Sequence, residues 1–115
     1  MDSYKELIVW QKAIVLVQEV YKINFPREEI YGLSSQMRRA AISIPSNIAE
    51  GQQRKSQKEF LQFLRIAFGS SAELETQLII LKKIYPAEYS QKADAILEEV
   101  QKMLGALIRK LETKN

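Results

Sequence analysis

The sequence of 115 residues contains no cysteine and no histidine. This excludes disulfides, thiolate nucleophiles and Ser–His or Cys–His catalytic pairs, and it removes the ligands of most zinc, haem, iron–sulfur and copper sites. The carboxylate-bridged di-iron bundle is also excluded, because it needs Glu-x-x-His pairs. Ser–Lys catalysis stays open on composition, but no pattern marks a particular serine and lysine as neighbours. We therefore expect no metal, no cofactor and no enzymatic activity.

Long apolar runs are also missing. No segment approaches the ~20 apolar residues that span a bilayer, and the charged N-terminal stretch lacks the apolar core of a cleavable signal. We expect a cytoplasmic protein with no membrane partner. The composition, 46% hydrophobic and 27% charged, is close to the globular average and predicts one folded domain over residues 1–115, without disulfides or metal to stabilise it.

Glycine and proline are scarce, and apolar residues recur at spacings of three and four along four segments. This period is typical of amphipathic helices. It predicts helices at about 4–23, 34–51, 57–84 and 88–112. Because the connections are short and no stretch alternates like a strand, we predict an all-α protein, an antiparallel up-down-up-down four-helix bundle.

Three local features refine this prediction. Pro45 lies inside the second helix, where we expect a kink rather than a break because Ile48 continues the apolar phase. Ser56 and Glu59 form a capping-box pattern at the start of the third helix. Gly69 costs roughly 1 kcal/mol relative to alanine inside a helix, which suggests close packing by another helix or a second subunit. The alternative is a tolerated surface glycine.

The net charge of +3 is distributed unevenly. Residues 34–58 contain five basic side chains against Glu50 alone, whereas the other stretches are close to neutral. A basic segment in an otherwise neutral surface is the electrostatic footprint of a polyanion partner. The alternative is a solvated helix face whose cations pair with acids of neighbouring helices.

We expect an RNA or DNA site at the turn between the second and third helices. Arg54, Lys55 and Lys58 lie there, beside a helix start whose backbone amides are also positive. The second-rank candidates are the other arginines of the second and third helices, namely Arg38, Arg39 and Arg65. The first two of these could instead be held in pairs with carboxylates.

Four aromatic residues allow two interpretations. Tyr31, Phe60 and Phe63 could stack on unpaired bases, but aromatic residues at helical spacing are more often part of a core. Trp10 likewise indicates a core or a subunit contact. We therefore take core packing as the expected role of all four.

The second helix also carries a polar strip. Ser43, Ser46, Asn47 and Glu50 are spaced so that they share one face beside the apolar seam. Acidic and amide side chains of the third helix could face this strip or face Arg38 and Arg39; they are Glu73, Glu75 and Gln77. We predict a structural network, rather than a catalytic site, formed by Ser43, Asn47, Glu50, Glu73 and Glu75.

An ordered series of motifs runs through roughly residues 5–81. It comprises Leu7–Ala13, Phe25-Pro26 with Glu29, Tyr31–Ala41, Ser43–Gly51 with Arg54, Ile66-Ala67, Gly69-Ser70 and Glu73–Leu78. The series resembles the 23S rRNA intervening-sequence protein family, which comprises small bacterial four-helix-bundle proteins sometimes titled ribosomal proteins. The last predicted helix carries no diagnostic motif.

The resemblance implies a four-helix bundle that assembles into homo-oligomers, with pentameric rings as the family precedent, and it does not imply an enzyme. Relatives include the accessory protein of diversity-generating retroelements, a basic pentamer that engages nucleic acid and a reverse transcriptase. We therefore predict a non-enzymatic homo-oligomer that binds RNA or DNA non-specifically. The alternative is a protein–protein scaffold in which the same arginines hold subunits together.

Overall fold

The computed structural model describes residues 3–114, which form four α-helices joined by short connections. The helices are α1 (Ile8–Tyr21), α2 (Leu33–Gln53), α3 (Gln57–Ile84) and α4 (Gln91–Thr113). Short 3-10 turns occupy Tyr4–Glu6, Arg27–Glu29 and Pro86–Glu88. The prediction of an all-α four-helix protein is confirmed. None of the helices in this described part combines the length and the apolar character needed to cross a bilayer.

Each helix packs against two of the others, so that the four form a closed square: α1 contacts α2 and α4, and α3 contacts α2 and α4. Paired contacts show the helix directions. Ser43 in the middle of α2 meets Ser70 of α3, whereas Gly51 near the end of α2 meets Phe63 near the start of α3. These two helices therefore run in opposite directions.

The same reversal of order holds at the other helix pairs. In α1 and α4, Lys12 pairs with Glu99 and Glu19 pairs with Lys92. In α3 and α4, Arg65 contacts Glu112, and Ser71 contacts Gln101. The bundle measures 45 × 20 × 19 Å, so its two ends are well separated.

The core is one apolar cluster to which all four helices contribute. Its fully buried members include Leu16, Ile44, Leu64, Leu74, Val100 and Leu104. Burying one such side chain stabilises the fold by about 1.5–3 kcal/mol. This cluster, with no cysteine or metal ligand in it, holds the four helices together.

Two predicted helix starts differ from the structure. The first helix begins at Ile8 rather than near residue 4, because Tyr4–Glu6 form a 3-10 turn and Leu7 is extended. The fourth begins at Gln91 rather than near residue 88, since the turn after α3 is also 3-10 and the Ser90 hydroxyl then caps the new helix. Apolar periodicity does not distinguish a 3-10 turn from the first turn of an α-helix.

Helix α2 continues without a break through Pro45. Pro45 and Ile48 are both buried, so the apolar phase is maintained on either side of the proline. The alternative of a true break is therefore wrong. At the start of α3, the Ser56 hydroxyl accepts the backbone N–H of Glu59 at 3.2 Å, which is one of the two bonds of a capping box.

Gly69 has open space around it, whereas Gly51 is closely packed. A Cβ atom added at Gly69 would meet nothing within 4 Å, so close packing of Gly69 by another helix of the same chain is ruled out. A Cβ atom at Gly51 would lie 2.6 Å from the Cβ of Phe63. Gly51, rather than Gly69, is where α2 and α3 approach closely. Contact of Gly69 with a second subunit stays a prediction.

Candidate nucleic-acid interface

The turn between α2 and α3 consists of three residues, 54–56. Arg54 is extended, with φ −72° and ψ 146°, which ends α2 and turns the chain toward α3. Lys55 and Lys58 are exposed and have no carboxylate partner in the described chain. They lie beside the first turn of α3, where backbone N–H groups add positive potential. Both lysines therefore remain available to an anionic partner.

Arg54 is placed differently from the two lysines. Its guanidinium lies 3.6 Å from the Glu50 carboxylate and 4.0 Å from that of Glu59. It also lies 5.1 Å from the centroid of the Phe63 ring. The predicted leading candidate is thus partly neutralised and held against α3, although exposed ion pairs of this kind contribute little energy and exchange readily with a stronger anion.

The end of α4 lies beside this turn. The Gln57 side-chain amide donates to the Leu111 carbonyl at 3.1 Å, and the Arg65 guanidinium pairs with the Glu112 carboxylate. These contacts place three further exposed cations at the same end of the bundle, and no carboxylate of the described chain pairs with them: Arg109, Lys110 and Lys114. We call Lys55, Lys58, Arg109, Lys110 and Lys114 the basic end.

Sequence reasoning missed the α4 half of the basic end. Charges balance over residues 84–115, so that stretch shows no excess of cations. The predicted topology could have identified these α4 cations, because an up-down-up-down bundle brings the end of its fourth helix to the turn between the second and third helices. The basic end is therefore a product of the fold rather than of one sequence segment.

The middle of the bundle is acidic by contrast. Its charged residues are Glu73, Glu75, Glu98 and Glu99 against Lys12 and Lys102. Both lysines are paired, Lys12 with Glu99 at 3.2 Å and Lys102 with Glu98 at 3.3 Å. Over residues 3–114, no group of three or more acidic side chains could hold a metal ion.

Arg38 and Arg39 lie near the start of α2, at the opposite end from the basic end. The Arg38 guanidinium stacks 4.4 Å over the Tyr21 ring and 6.0 Å from that of Phe25. Arg39 is exposed and has no ionic partner within residues 3–114. Neither arginine pairs with Glu73 or Glu75, so that predicted pairing is wrong within one chain.

A family model for the 23S rRNA-intervening sequence protein matches residues 5–106. The match extends the motif series through most of α4 and covers the greater part of the chain. The chain belongs to the 23S rRNA-intervening sequence protein family. A comparison with curated proteins finds no match. In this family member, Lys55 and Lys58 lie within the matched region, and Arg109, Lys110 and Lys114 lie beyond it.

The predicted polar network is only partly formed in this 23S rRNA-intervening sequence protein. The Ser43 and Ser70 hydroxyls are 2.8 Å apart across α2 and α3. The Asn47 side-chain amide donates to the Ser43 carbonyl at 2.8 Å and to its hydroxyl at 2.9 Å. Two of the five predicted members, Ser43 and Asn47, thus interact, and Ser70 is a partner that sequence reasoning did not include. Ser46 is exposed beside them.

The three predicted glutamates lie outside this network. Glu50 pairs with Arg54, and Glu73 is exposed with no ionic partner in the described part of the chain. Glu75 accepts a hydrogen bond at 3.3 Å from the side chain of Gln101 in α4. For Glu75 the reason is helical geometry: each residue turns the chain by about 100°, so position 75 points away from the face that Ser70 presents to α2.

The aromatic residues of this family member divide into two groups. Phe60 and Trp10 are partly buried against the core, as expected, and Phe63 packs against Gly51. Tyr31 is 95% exposed, so its expected place in the core is wrong. Its ring is therefore free to stack on a flat partner.

Three groups with shifted pKa values lie at the end opposite the basic end. A hydrogen bond from the Tyr89 hydroxyl to Asp94 raises the pKa of Tyr89 to about 12. A bond to Glu29, at 2.9 Å, raises the pKa of Tyr85. The pKa of Glu19 is lowered, chiefly by a hydrogen bond from Lys22 at 2.9 Å that outweighs the effect of burial. All three are explained by contacts that join helices or connections.

Proposed function

We propose that this member of the 23S rRNA-intervening sequence protein family is a non-enzymatic, cytoplasmic homo-oligomer that binds RNA or DNA through the basic end. One observation carries the proposal: the α2–α3 turn lies beside the end of α4, and five exposed cations without a carboxylate partner lie at this end of the bundle. Phosphate contacts of this kind give affinity without strong sequence preference, because they do not read base edges.

The strength of such a site depends on the number of copies. A protein that neutralises several phosphates loses affinity steeply with salt, and each lysine or arginine adds about one phosphate contact. A single basic end is therefore a weak site at physiological salt. A homo-oligomer carries one basic end on each subunit. Several such sites in one particle bind a long polyanion far more tightly than a single site does.

A salt titration of RNA binding tests the proposal. Fluorescence anisotropy with structured and single-stranded RNA is measured for the unmodified protein, for the pair Lys55→Glu and Lys58→Glu, and for the control pair Lys83→Glu and Lys102→Glu. Both pairs change the net charge equally, but only the first alters the basic end. We expect the first pair to weaken binding more than about tenfold and to reduce the salt slope. Equal losses in both pairs would refute the basic end as the site.

Exposed apolar surface supports the homo-oligomer. Helix α3 exposes five large apolar side chains, with Ile66, Ile80 and Ile84 along one strip and Phe68 and Ile79 along another. A separate groove between α1 and α2 is lined mostly by apolar residues, among them Trp10, Ile14, Val17, Ile42 and Ala49. Groups of exposed apolar side chains mark contact sites. Two different patches on one chain suit head-to-tail contacts, which close into rings.

The glycine of the exposed face of α3 offers a clean test of this assembly. A Cβ atom at Gly69 meets nothing within 4 Å and the position is exposed, so the fold should survive Gly69→Arg. Ala106→Arg, at an exposed position of α4, is the control with the same added charge, because α4 contributes to neither apolar surface. We expect light scattering to give a lower particle mass for Gly69→Arg alone. An unchanged mass would show that α3 is not a subunit contact.

A scaffold that binds proteins and no nucleic acid is the second candidate function. The exposed apolar face of α3 favours it, because such a face serves a different protein partner as well as a second copy. The two functions differ in one measurement. An intact oligomer that binds no RNA even at ~50 mM salt, where phosphate contacts are strong, would favour the scaffold.

A further inference from the structure

A second cationic pocket lies at the start of α2, far from the basic end. It is an open depression of about 460 Å³, and its polar lining consists of Tyr21, Tyr31, Ser34, Ser35, Arg38 and Arg39. The basic end also has a depression, lined by Lys58, Leu61, Arg65 and Glu112, but there the Glu112 carboxylate already pairs with the Arg65 guanidinium. The pocket instead gathers hydroxyls and guanidiniums around one cavity.

Several donors of the pocket lack a partner. Ser34 is only 4% exposed, and its hydroxyl makes no hydrogen bond within residues 3–114. The Nε atom of Arg38 is buried and also has no acceptor. Arg39 has no carboxylate beside it in the described chain. Buried donors are normally satisfied, so the unpaired Nε of Arg38 indicates an acceptor that binds from outside the chain.

The backbone adds two more donors. The backbone N–H of Leu33 donates to the Glu29 carboxylate at 3.1 Å, and that of Gln36 donates to the Gly32 carbonyl. In the described structure, the N–H groups of Ser34 and Ser35 have no acceptor. The second oxygen of Glu29 accepts from the Tyr85 hydroxyl, so this carboxylate is engaged on the α3 side of the helix start. The positive end of α2 thus supplements the arginines.

We propose that this pocket binds a phosphate monoester group. Two guanidiniums, two hydroxyls and two backbone N–H groups suit the double negative charge and three terminal oxygens of a monoester better than the single charge and two free oxygens of a phosphodiester. Stacking on Tyr21 and Phe25 holds the Arg38 guanidinium in place before the ligand arrives. The exposed ring of Tyr31 at the rim offers a stacking surface for a base.

The phosphate has two possible sources, a free nucleotide and the phosphorylated end of a nucleic acid. Calorimetric titrations distinguish them with four probes: inorganic phosphate, AMP, a short 5′-phosphorylated RNA and the same RNA with a 5′-hydroxyl. Binding of phosphate and AMP without a preference between the two RNAs assigns the pocket to small phosphates. A preference for the 5′-phosphorylated RNA assigns it to nucleic-acid ends. Failure of all phosphate-bearing probes would overturn the proposal.

Variants locate the binding in the pocket. Arg39→Gln should weaken phosphate and AMP binding about tenfold or more, as expected for loss of a charged hydrogen bond. Arg27→Gln, which removes an exposed and unpaired arginine from the same end of the bundle, should leave it unchanged. Ser34→Ala, a small change at a buried position, should also weaken it. Equal binding by the unmodified protein, Arg39→Gln and Ser34→Ala would contradict the assignment.

The same titrations keep this site separate from the basic end. The pair Lys55→Glu and Lys58→Glu should retain phosphate and AMP binding, because neither lysine lines the pocket. Arg39→Gln should in turn retain the salt-dependent RNA binding assigned to the basic end. Loss of phosphate binding in the lysine pair would show that no separate pocket exists.

Discussion

The two ends of the bundle are both rich in cations but hold their helices together by different means. At the basic end, α2 and α3 pack closely at Gly51, and most of the cations are unpaired. At the opposite end, buried or bridging carboxylates accept hydrogen bonds from side chains: Glu19 from Lys22, Glu29 from Tyr85, and Asp94 from Tyr89. A count of charges does not distinguish these ends, whereas the tyrosine–carboxylate hydrogen bonds of the opposite end and the close helix contact at Gly51 do.

The largest expected effect is at the close packing of the basic end. Gly51→Ala places a methyl group 2.6 Å from the Phe63 Cβ and 3.1 Å from the Phe60 ring, so α2 and α3 must separate. Overpacking of this kind costs about 1–3 kcal/mol. Gly69→Ala, with open space around it, should stabilise the protein by up to ~1 kcal/mol through helix propensity. Urea unfolding of both variants measures the difference, and a stable Gly51→Ala would contradict the tight contact.

The next effect concerns the tyrosines of the opposite end. The pKa of Tyr89 in the folded protein is about 12, above its ordinary value of 10. The contribution of the Tyr89 hydroxyl to the free energy of unfolding is therefore fully present below pH 10 and is lost as the pH rises toward 12. Tyr89→Phe should cost about 1 kcal/mol at neutral pH and flatten the alkaline fall in stability. Thermal melts between pH 8 and ~12 provide the measurement. If the stability of Tyr89→Phe fell equally steeply with rising pH, the alkaline loss of stability would be due to other groups.

A smaller effect is expected at Glu19, on the acid side. Its pKa in the folded protein is below the ordinary 4.5, so its stabilising contribution is present above pH 4.5 and is lost as the pH falls through the lowered value. Glu19→Gln should therefore lower stability at neutral pH and reduce the further loss on acidification. Circular-dichroism melts from neutral pH downward test this, with the exposed Glu6→Gln as the control.

The smallest effect is expected at the ion pairs of Arg54. Glu59→Gln removes one exposed carboxylate 4.0 Å from the guanidinium and should change the free energy of unfolding by less than about 0.5 kcal/mol. RNA affinity should rise slightly, because Arg54 becomes less neutralised. The anisotropy titration detects this rise, and a fall in affinity would show that Glu59 positions Arg54 for binding.

The apolar periodicity of the sequence was sufficient to predict the helices. The bounds of α3 match the predicted 57–84, because the capping serine and the long apolar seam both mark them. The starts of α1 and α4 were missed, since a 3-10 turn precedes each and carries the same apolar spacing. Local sequence patterns therefore predicted which segments are helical, but not where α1 and α4 begin.

The candidate site was less predictable for a physical reason. Lys55 and Lys58 could be placed from the turn in which they lie, but Arg109 and Lys110 join them only through antiparallel packing. The neutralisation of Arg54 depends on the side chains of Glu50 and Glu59, which reach it from two helices. Pairings across elements are set by register, and spacing along one segment does not give that register.

The position of Trp10 provides a built-in reporter. It is the single tryptophan of the chain and lies partly buried in the α1–α2 groove, with its ring 5.3 Å from that of Tyr4. If another subunit fills that groove, the indole loses its remaining contact with water. Its fluorescence emission should then shift to shorter wavelength as the protein concentration increases, which follows assembly without any attached dye.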